Sequence, residues 1–285
     1  MKVRSKNLRK RSNNAEKRQI AEELHKRVIK NFKTRRIIIN GIDEIWACDL
    51  LIMSQYSKQN QGYKYLLNVI DCFSKYVWCV ALKEKTGSAT ADAFAQILKK
   101  SKRKPELLHT DMGKEFVNST FKKMLEKHKI KLYHTYSENK SSIIERFNRS
   151  LNEKLRLHFE INKNFKWYKI LPAILKEYNE RDIQRTVGMT PAEASLKKNE
   201  EKIYNRMYPL KKFRLQKPTF KIDDRVRISK KKYVFGNKYS RNWTTEIFIV
   251  NDVHFTQPIT YSIKALDGEK ILGKFYREEL QKTKF

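Results

Sequence analysis

Cysteine, acidic residues and long apolar runs are all scarce in this chain, and each scarcity closes off a class of protein. There are three cysteines in 285 residues, Cys48, Cys72 and Cys79. All three lie in apolar segments, with no CxxC pair and no histidine at metal-ligand spacing beside them. That excludes a readable zinc module and a disulfide framework, and fits small buried side chains in a reducing compartment. No apolar run approaches the roughly 18–20 residues of a membrane-spanning helix. The N-terminal "MKVRSKNLRKRSNNAEKR" has no apolar core that would make it a secretory signal, so the expectation is an intracellular protein with no membrane partner. Acids are the third shortage: 31 Asp and Glu face 63 Lys and Arg, a formal charge of +32. Such an excess self-repels unless a polyanion neutralises it, and nucleic acid is favoured over a membrane surface.

What remains is the composition of a folded protein, with 40% hydrophobic and 12% aromatic residues. Charge is densest at the ends. Residues 1–36 hold 14 basic residues against 3 acids, and Lys197 to the C-terminus holds 22 against 10. The sequence divides into a basic arm at 1–40 with a short helix around Ile20 to Val28, a central domain at 41–200, a basic linker at 201–219 and a small unit at 220–285. The arm has the sign for phosphate contact.

In the central domain "IWACDLLIM", "YKYLLNVID" and "YVWCVAL" read as an antiparallel three-strand meander. They are followed by a helix in "SATADAFAQILKKS", a strand in "ELLHTD", a helix in "FVNSTFKKMLEKHK", a strand in "IKLYHTY" and a helix in "SSIIERFNRSLNEKL". Three strands followed by α, β, α, β, α make an α/β domain, a mixed five-stranded sheet with helices on its faces. Two further helical stretches follow, "FKWYKILPAILKEYNERD" and "TPAEASLKKN"; Thr190, Pro191 and Glu193 form a strong N-terminal signal for the second. The last 66 residues alternate as strands with a "DG" hairpin turn, which predicts a small five-strand barrel.

Three carboxylates stand out. Asp49 interrupts an apolar strand, Asp111 ends the fourth strand, and Glu145 opens a polar stripe, with Asn148, Arg149, Asn152 and Arg156, beside an apolar stripe of Ile143, Phe147, Leu151 and Leu155. Taken singly each has an ordinary reading: an outward edge residue, a turn aspartate and a solvated acid near a helix N-terminus. Asp71, before a turn, is given a structural role. A meander followed by a parallel crossover makes the first and fourth strands neighbours, which brings Asp49 and Asp111 together within reach of Glu145. Three converging carboxylates call for hard divalent cations such as Mg2+ or Mn2+. Two such ions suit in-line phosphoryl displacement, the chemistry of a metal nuclease or nucleotidyl transferase.

The blocks "IWACDLLIM", "GYKYLLNVIDCFSKYVW", "HTDMGKEFVNSTF" and "SSIIERFNRSLNEKL" resemble, in order, those of the retroviral-type integrase core, a DDE recombinase of RNase H-like fold. The wording of "YSKQNQGYKYLLNVIDCFSKYVW", "DRVRISKKKYVFGNKYSRNWTTEIFIV" and "GKFYREELQ" is most similar to integrases of Maverick or Polinton transposons and their virophage relatives, over residues 23–285. The resemblance implies Asp49, Asp111 and Glu145 as catalytic ligands of two Mg2+ or Mn2+ ions. It further implies cleavage of element ends to a 3′-hydroxyl and strand transfer into target DNA, by a dimer or tetramer working in a host nucleus or packaged in a virus-like particle. Asn148, Arg149 and Asn152 match positions that face the catalytic pocket and element-end DNA, and Lys114, next to Asp111, is a further candidate for phosphate contact. The C-terminal unit resembles an SH3-like or chromodomain-like barrel, whose Arg225, Arg227, Lys230, Lys231 and Lys232, interleaved with Tyr233, Tyr239 and Trp243, suit backbone-dominated DNA binding; the aromatics equally suit a barrel core.

There are two departures. The 33 residues between Asp111 and Glu145 are slightly fewer than in retroviral relatives, with "YSENKSS" the place for the deletion. The His-His-Cys-Cys zinc set with which many such integrases begin has no counterpart before Asp49, which implies a truncated chain or reliance on the basic arm or a partner. Two readings compete with an active integrase: a transposon-derived DNA- or chromatin-binding protein without catalysis, and an RNase H-like nuclease.

Overall fold

The computed structural model describes residues 15–35, 37–134, 142–209, 217–230 and 240–285, with His134 described by its backbone alone. Two compact units emerge, residues 38–211 and residues 1–37 together with 212–285. The division read from sequence set residues 1–40 apart as an arm and ended the central domain at 200.

In the first unit β1 (Ile45–Ile52), β2 (Tyr65–Asp71) and β3 (Val77–Leu82) form the expected meander, and β4 (Leu107–Thr110) and β5 (Lys131–His134) add in parallel, giving the order β3-β2-β1-β4-β5. β1 is an interior strand covered on both faces, hence its almost unbroken apolar run. Its even residues Trp46, Cys48 and Leu50 join Leu67 and Val69 of β2 in a core closed by α2 (Gly87–Ser101) and α3 (Ser119–Lys127). Its odd residues Ile45 and Ala47 join Leu66 and Ile70 in a second core, closed by α4 (Ser142–Asn162) and α5 (Trp167–Glu180). Strand alternation places Asp49 and its register partner Asn68 on this second face, under α4.

α4 buries Ile144, Phe147, Leu151 and Leu155. The stripe read from sequence began at Ile143, which is only half-buried; the helix turns its neighbour inward instead. α6 (Pro191–Ala194) starts as expected at Thr190, whose hydroxyl and the Glu193 carboxylate satisfy each other's backbone N–H groups. α7 (Glu200–Met207), absent from the sequence reading, packs Ile203 and Met207 into the same core. With two buried residues among mostly charged ones, its period was too short to stand out.

One cation ties this unit together. Arg103, between α2 and β4, clasps both oxygens of Asp43, donates to Asp71 Oδ2 at 2.7 Å and to Ser195 Oγ at 3.1 Å, and lies over the Trp78 ring. Asp71 is fully buried and also accepts from Ser74 Oγ and the Phe73 N–H. Its structural role, expected from its place before a turn, is therefore borne out. On the edge strand β3, Asn179 pairs with both the N–H and the C=O of Val77, occupying backbone groups an edge would otherwise expose.

The second unit contains α1 (residues 15–25) and five antiparallel strands, β6 (Arg225–Ile228), β7 (Phe248–His254), β8 (Thr260–Ala265), β9 (Phe275–Tyr276) and β10 (Leu280–Lys282), ordered β10-β6-β7-β8-β9. Val226, Phe248, Val250, Tyr261, Ile263 and Leu280 form its core. After β8, Asp267-Gly268 makes the predicted turn, with Gly268 at φ +95° where a side chain would be strained. α1 is integral to this unit: the Leu24 carbonyl accepts from the N–H groups of Asn242 and Trp243, and Lys26 O accepts from Trp243 Nε1 at 2.9 Å. Among the described residues no helix is long and apolar enough to cross a membrane.

Arg103→Ala strands the buried Asp71 carboxylate and is expected to cost about 3–5 kcal/mol, read from urea unfolding midpoints. Burial already holds the Asp71 carboxyl above its ordinary pKa, so the deficit should shrink as pH falls and Asp71 takes up a proton. Adding Asp71→Asn should restore much of the stability. A variant as stable as the parent would refute the role given to Arg103.

Candidate active site

The parallel pairing of β1 with β4, Ile45 opposite Leu107 and Ala47 opposite His109, runs both strands toward the same end. Asp49 stands two residues beyond the last pair on β1, and Asp111 immediately follows β4. The neighbourhood expected from topology is therefore realised, and the Asp111 charge helps raise the Asp49 pKa. Asp49 Oδ1 accepts from the Leu50 N–H at 2.9 Å, and Oδ2 accepts from Asn148 Nδ2 at 2.6 Å. Asp111 Oδ1 accepts from the Gly113 N–H at 3.0 Å. Burial is the largest cause lifting the Asp49 carboxyl, with Asp111 and Glu115 adding to it; the two hydrogen bonds oppose the shift and do not overcome it.

Glu115 was not singled out from sequence. It is 5% exposed, and its Oε1 pairs with Lys85 Nζ at 3.0 Å. Gly113 makes room for it, because a Cβ there would sit 2.7 Å from the Glu115 carboxylate. The signal was present in "DMGKEF", where the acid precedes a core phenylalanine, but nothing local told inward from outward. Asn68 was missed as well. It is a fully buried amide in the apolar run of β2, and it donates through Nδ2 to Asn148 Oδ1 at 2.7 Å.

The buried and half-buried acids around the site thus fall into two kinds. Asp71 has Arg103 and Glu115 has Lys85, whereas neither Asp49 nor Asp111 makes an ion pair among the described residues. Their donor atoms are all oxygen, since Cys48 belongs to the core on the opposite face of the sheet. An all-oxygen pair of like charges, each with unused lone pairs, fits a hard divalent cation.

Glu145 is exposed in the first turn of α4 and lines an open groove of about 320 Å3 with Asn148, Arg149, Asn152, Glu153 and Arg156. Asn148, three residues on and bonded to Asp49, puts Glu145 within about one helical turn of that contact. Among the described residues, however, no three His, Cys, Asp or Glu side chains are close enough to hold a metal together. The structure thus brings two of the three expected carboxylates together and leaves the third along the groove. The segment "YSENKSS" falls almost wholly outside the described residues.

The expected DNA-facing residues separate too. Lys114, Arg149, Arg225 and Lys230 are exposed and Asn152 is half-buried. Arg227 is a correction: it is 3% exposed, its guanidinium donates to the carbonyls of Thr244 and Thr245, and it pairs with Glu23 of α1. It is thus turned into its own unit and away from phosphate. Trp243 is likewise buried. Lys231, Lys232, Tyr233 and Tyr239 lie outside the described residues.

Comparison with known proteins adds a family likeness. Residues 40–140 match the integrase core domain. Glu145 falls just beyond the matched segment. A transposon-derived protein of Caenorhabditis elegans is 31% identical over 199 residues, 70% of this chain and 66% of that one. The Pro-Pol polyprotein of simian foamy virus type 1 is 32% identical over 120 residues, 40% of this chain and 10% of the polyprotein. The chain therefore spans just under two thirds of the worm relative and a small part of the viral ones. By fold, it is similar to a chain of the simian T-cell lymphotropic virus intasome solved in complex with the PP2A regulatory subunit B56 gamma. The TM-score is 0.62 at 16% identity, over 92% of this chain and 86% of that one. The mixed five-stranded sheet with its helices is the RNase H-like fold of integrase cores.

Asp111→Asn keeps an acceptor for the Gly113 N–H while removing a charge that opposes Asp49. In metal-free buffer it should stabilise the first unit at neutral pH by up to about 1 kcal/mol. Because the Asp49 pKa is raised, the penalty relieved exists only at pH above it, so the gain should vanish on acidification. Thermal unfolding from about pH 4 to 8 checks this, and a net loss at neutral pH would show that the two carboxylates do not oppose each other.

Proposed function

We propose that this chain is a DNA integrase of a Maverick/Polinton-type element, cutting element ends to free a 3′-hydroxyl and joining that hydroxyl to target DNA. The single observation that carries the reading is the pair Asp49 within β1 and Asp111 just after the neighbouring β4, like charges without an ion-pair partner among the described residues, in a segment that matches an integrase core domain. In the first step water attacks the scissile phosphodiester, and the 3′-oxygen of the element leaves and takes up a proton. In the second, that hydroxyl attacks a target phosphodiester, one P–O bond replacing another without a covalent enzyme intermediate.

Two Mg2+ or Mn2+ ions, held by Asp49, Asp111 and Glu145, would supply activation of the attacking oxygen and stabilisation of the leaving one. The chain's own residues do the rest. Asn148 steadies Asp49, the groove along α4 offers Arg149 and Asn152 to a DNA backbone, and Lys114 adds a cation beside Asp111. The second unit, read as an SH3-like or chromodomain-like barrel, would hold duplex through Arg225, Lys230, Lys231 and Lys232, with Arg227 serving its interior. Pairing two element ends calls for a dimer or tetramer, and the substrate sets the host nucleus as the place of action.

A second reading, a transposon-derived DNA-binding protein without catalysis, draws on one observation: Glu145 stands apart from the aspartate pair, so that among the described residues no three-carboxylate group is closed.

Strand transfer with an element-end oligonucleotide and Mg2+ or Mn2+ decides between them. The parent should give joined products, and Asp49→Asn, Asp111→Asn and Glu145→Gln should each lose at least about a hundredfold while still binding DNA. Products at parental level from all three variants would refute the catalytic assignment. Tight DNA binding with no joining and no calorimetric cation binding would establish the second reading. Binding itself should weaken about a thousandfold between 50 and 200 mM salt.

A further inference from the structure

Asn68 is a fully buried amide among Leu66, Leu67, Val69 and Ile70, in the middle of a strand whose other side chains are packed in core. It has one hydrogen-bonding task there: its Nδ2 donates to Asn148 Oδ1 at 2.7 Å, and Asn148 Nδ2 in turn donates to Asp49 Oδ2 at 2.6 Å. The direction of this chain is forced from its end. An ionised carboxylate only accepts, so Asn148 must turn its NH2 toward Asp49 and its carbonyl toward Asn68, which must then donate. The consequence is visible on Asn68 itself, whose Oδ1 is buried with no hydrogen-bond partner among the described residues. Leaving such an atom unsatisfied is costly, and an aliphatic side chain of the same size would avoid it. Stability alone does not explain Asn68; the donor must serve something else.

We infer that Asn68 is a positioning residue for cation binding, fixing the rotamer of Asn148 so that the Asp49 carboxylate is held ready for a divalent ion. The inference rests on the reading of Asp49 as a cation ligand. Asn148 uses one lone pair of Oδ2 and the Leu50 N–H uses one of Oδ1, which leaves a further pair on each oxygen of a fixed carboxylate for an ion. Without Asn68 the Asn148 amide is free to rotate, and the carboxylate is held by its backbone contact alone. Partners behind a ligand set its orientation and hence its affinity.

The test is Mn2+ and Mg2+ titration by calorimetry on the full chain without DNA, alongside thermal unfolding in metal-free buffer. Asn68→Leu removes both the donor and the stranded acceptor. It should unfold at or above the parental temperature yet bind the ion about tenfold more weakly. Asn148→Ala, on the half-buried face of α4, should weaken binding comparably, and the double variant little further, because both act through one contact. If Asn68→Leu does not fold, Asn148→Ala alone decides, since parental affinity there removes the relay. Parental affinity in Asn68→Leu, or lost stability with unchanged affinity, makes Asn68 structural and overturns the inference. A parent that binds the ion and an Asp49→Asn variant that does not, together with an unaffected Asn68→Leu, would sink the relay and leave the proposed function standing. A parent that binds no ion would overturn both.

Discussion

The core is organised around the cost of keeping the Asp49 carboxylate in the middle of a strand covered on both faces. An ionised acid in such a place must be matched by hydrogen bonds, a charge or a bound ion. Here the backbone and Asn148 supply two hydrogen bonds and the fold supplies no ion pair among the described residues. Everything nearby sharpens that deficit. β4 delivers a second carboxylate at Asp111, and Glu115 adds its charge from below. The same unit shows that it can neutralise acids when structure alone is at stake, with Arg103 on Asp71 and Lys85 on Glu115. Withholding a resident cation from one pair is what separates a site from a brace.

The polar face of α4 is the other half of the arrangement. Its buried residues fix the rotation of the helix about its axis, and that rotation aims Asn148 at Asp49 and leaves Glu145 and Arg149 along an open groove. A single helix thus couples core packing to the chemistry of the site, and the stripe that looked like a solvated surface in sequence is divided between the two.

The second unit shows why basic residues cannot be assigned a partner by charge alone. Arg225 and Arg227 stand two apart on β6 and so share a face by alternation, yet the carbonyls of Thr244 and Thr245 and a glutamate more than 200 residues away hold Arg227 buried while Arg225 and Lys230 stay exposed. The N-terminal segment shows the same effect: residues read as an arm supply Leu24 to the backbone of Asn242 and Trp243 and Glu23 to Arg227 and Thr283.

Periodicity, turn residues and charge by themselves determined the meander, the parallel additions, the two-face coverage of β1, the Asp267-Gly268 turn and the nearness of Asp49 to Asp111. These follow from local backbone preference and from the few topologies a right-handed crossover allows. Only the tertiary structure decided that Ile144 rather than Ile143 packs inward, that α7 extends the core, that Glu115 and Asn68 stand behind the site, and that Arg227 is structural. Each of those depends on which side a side chain turns and what it meets there, and such meetings join residues tens to hundreds of positions apart, which no local pattern encodes.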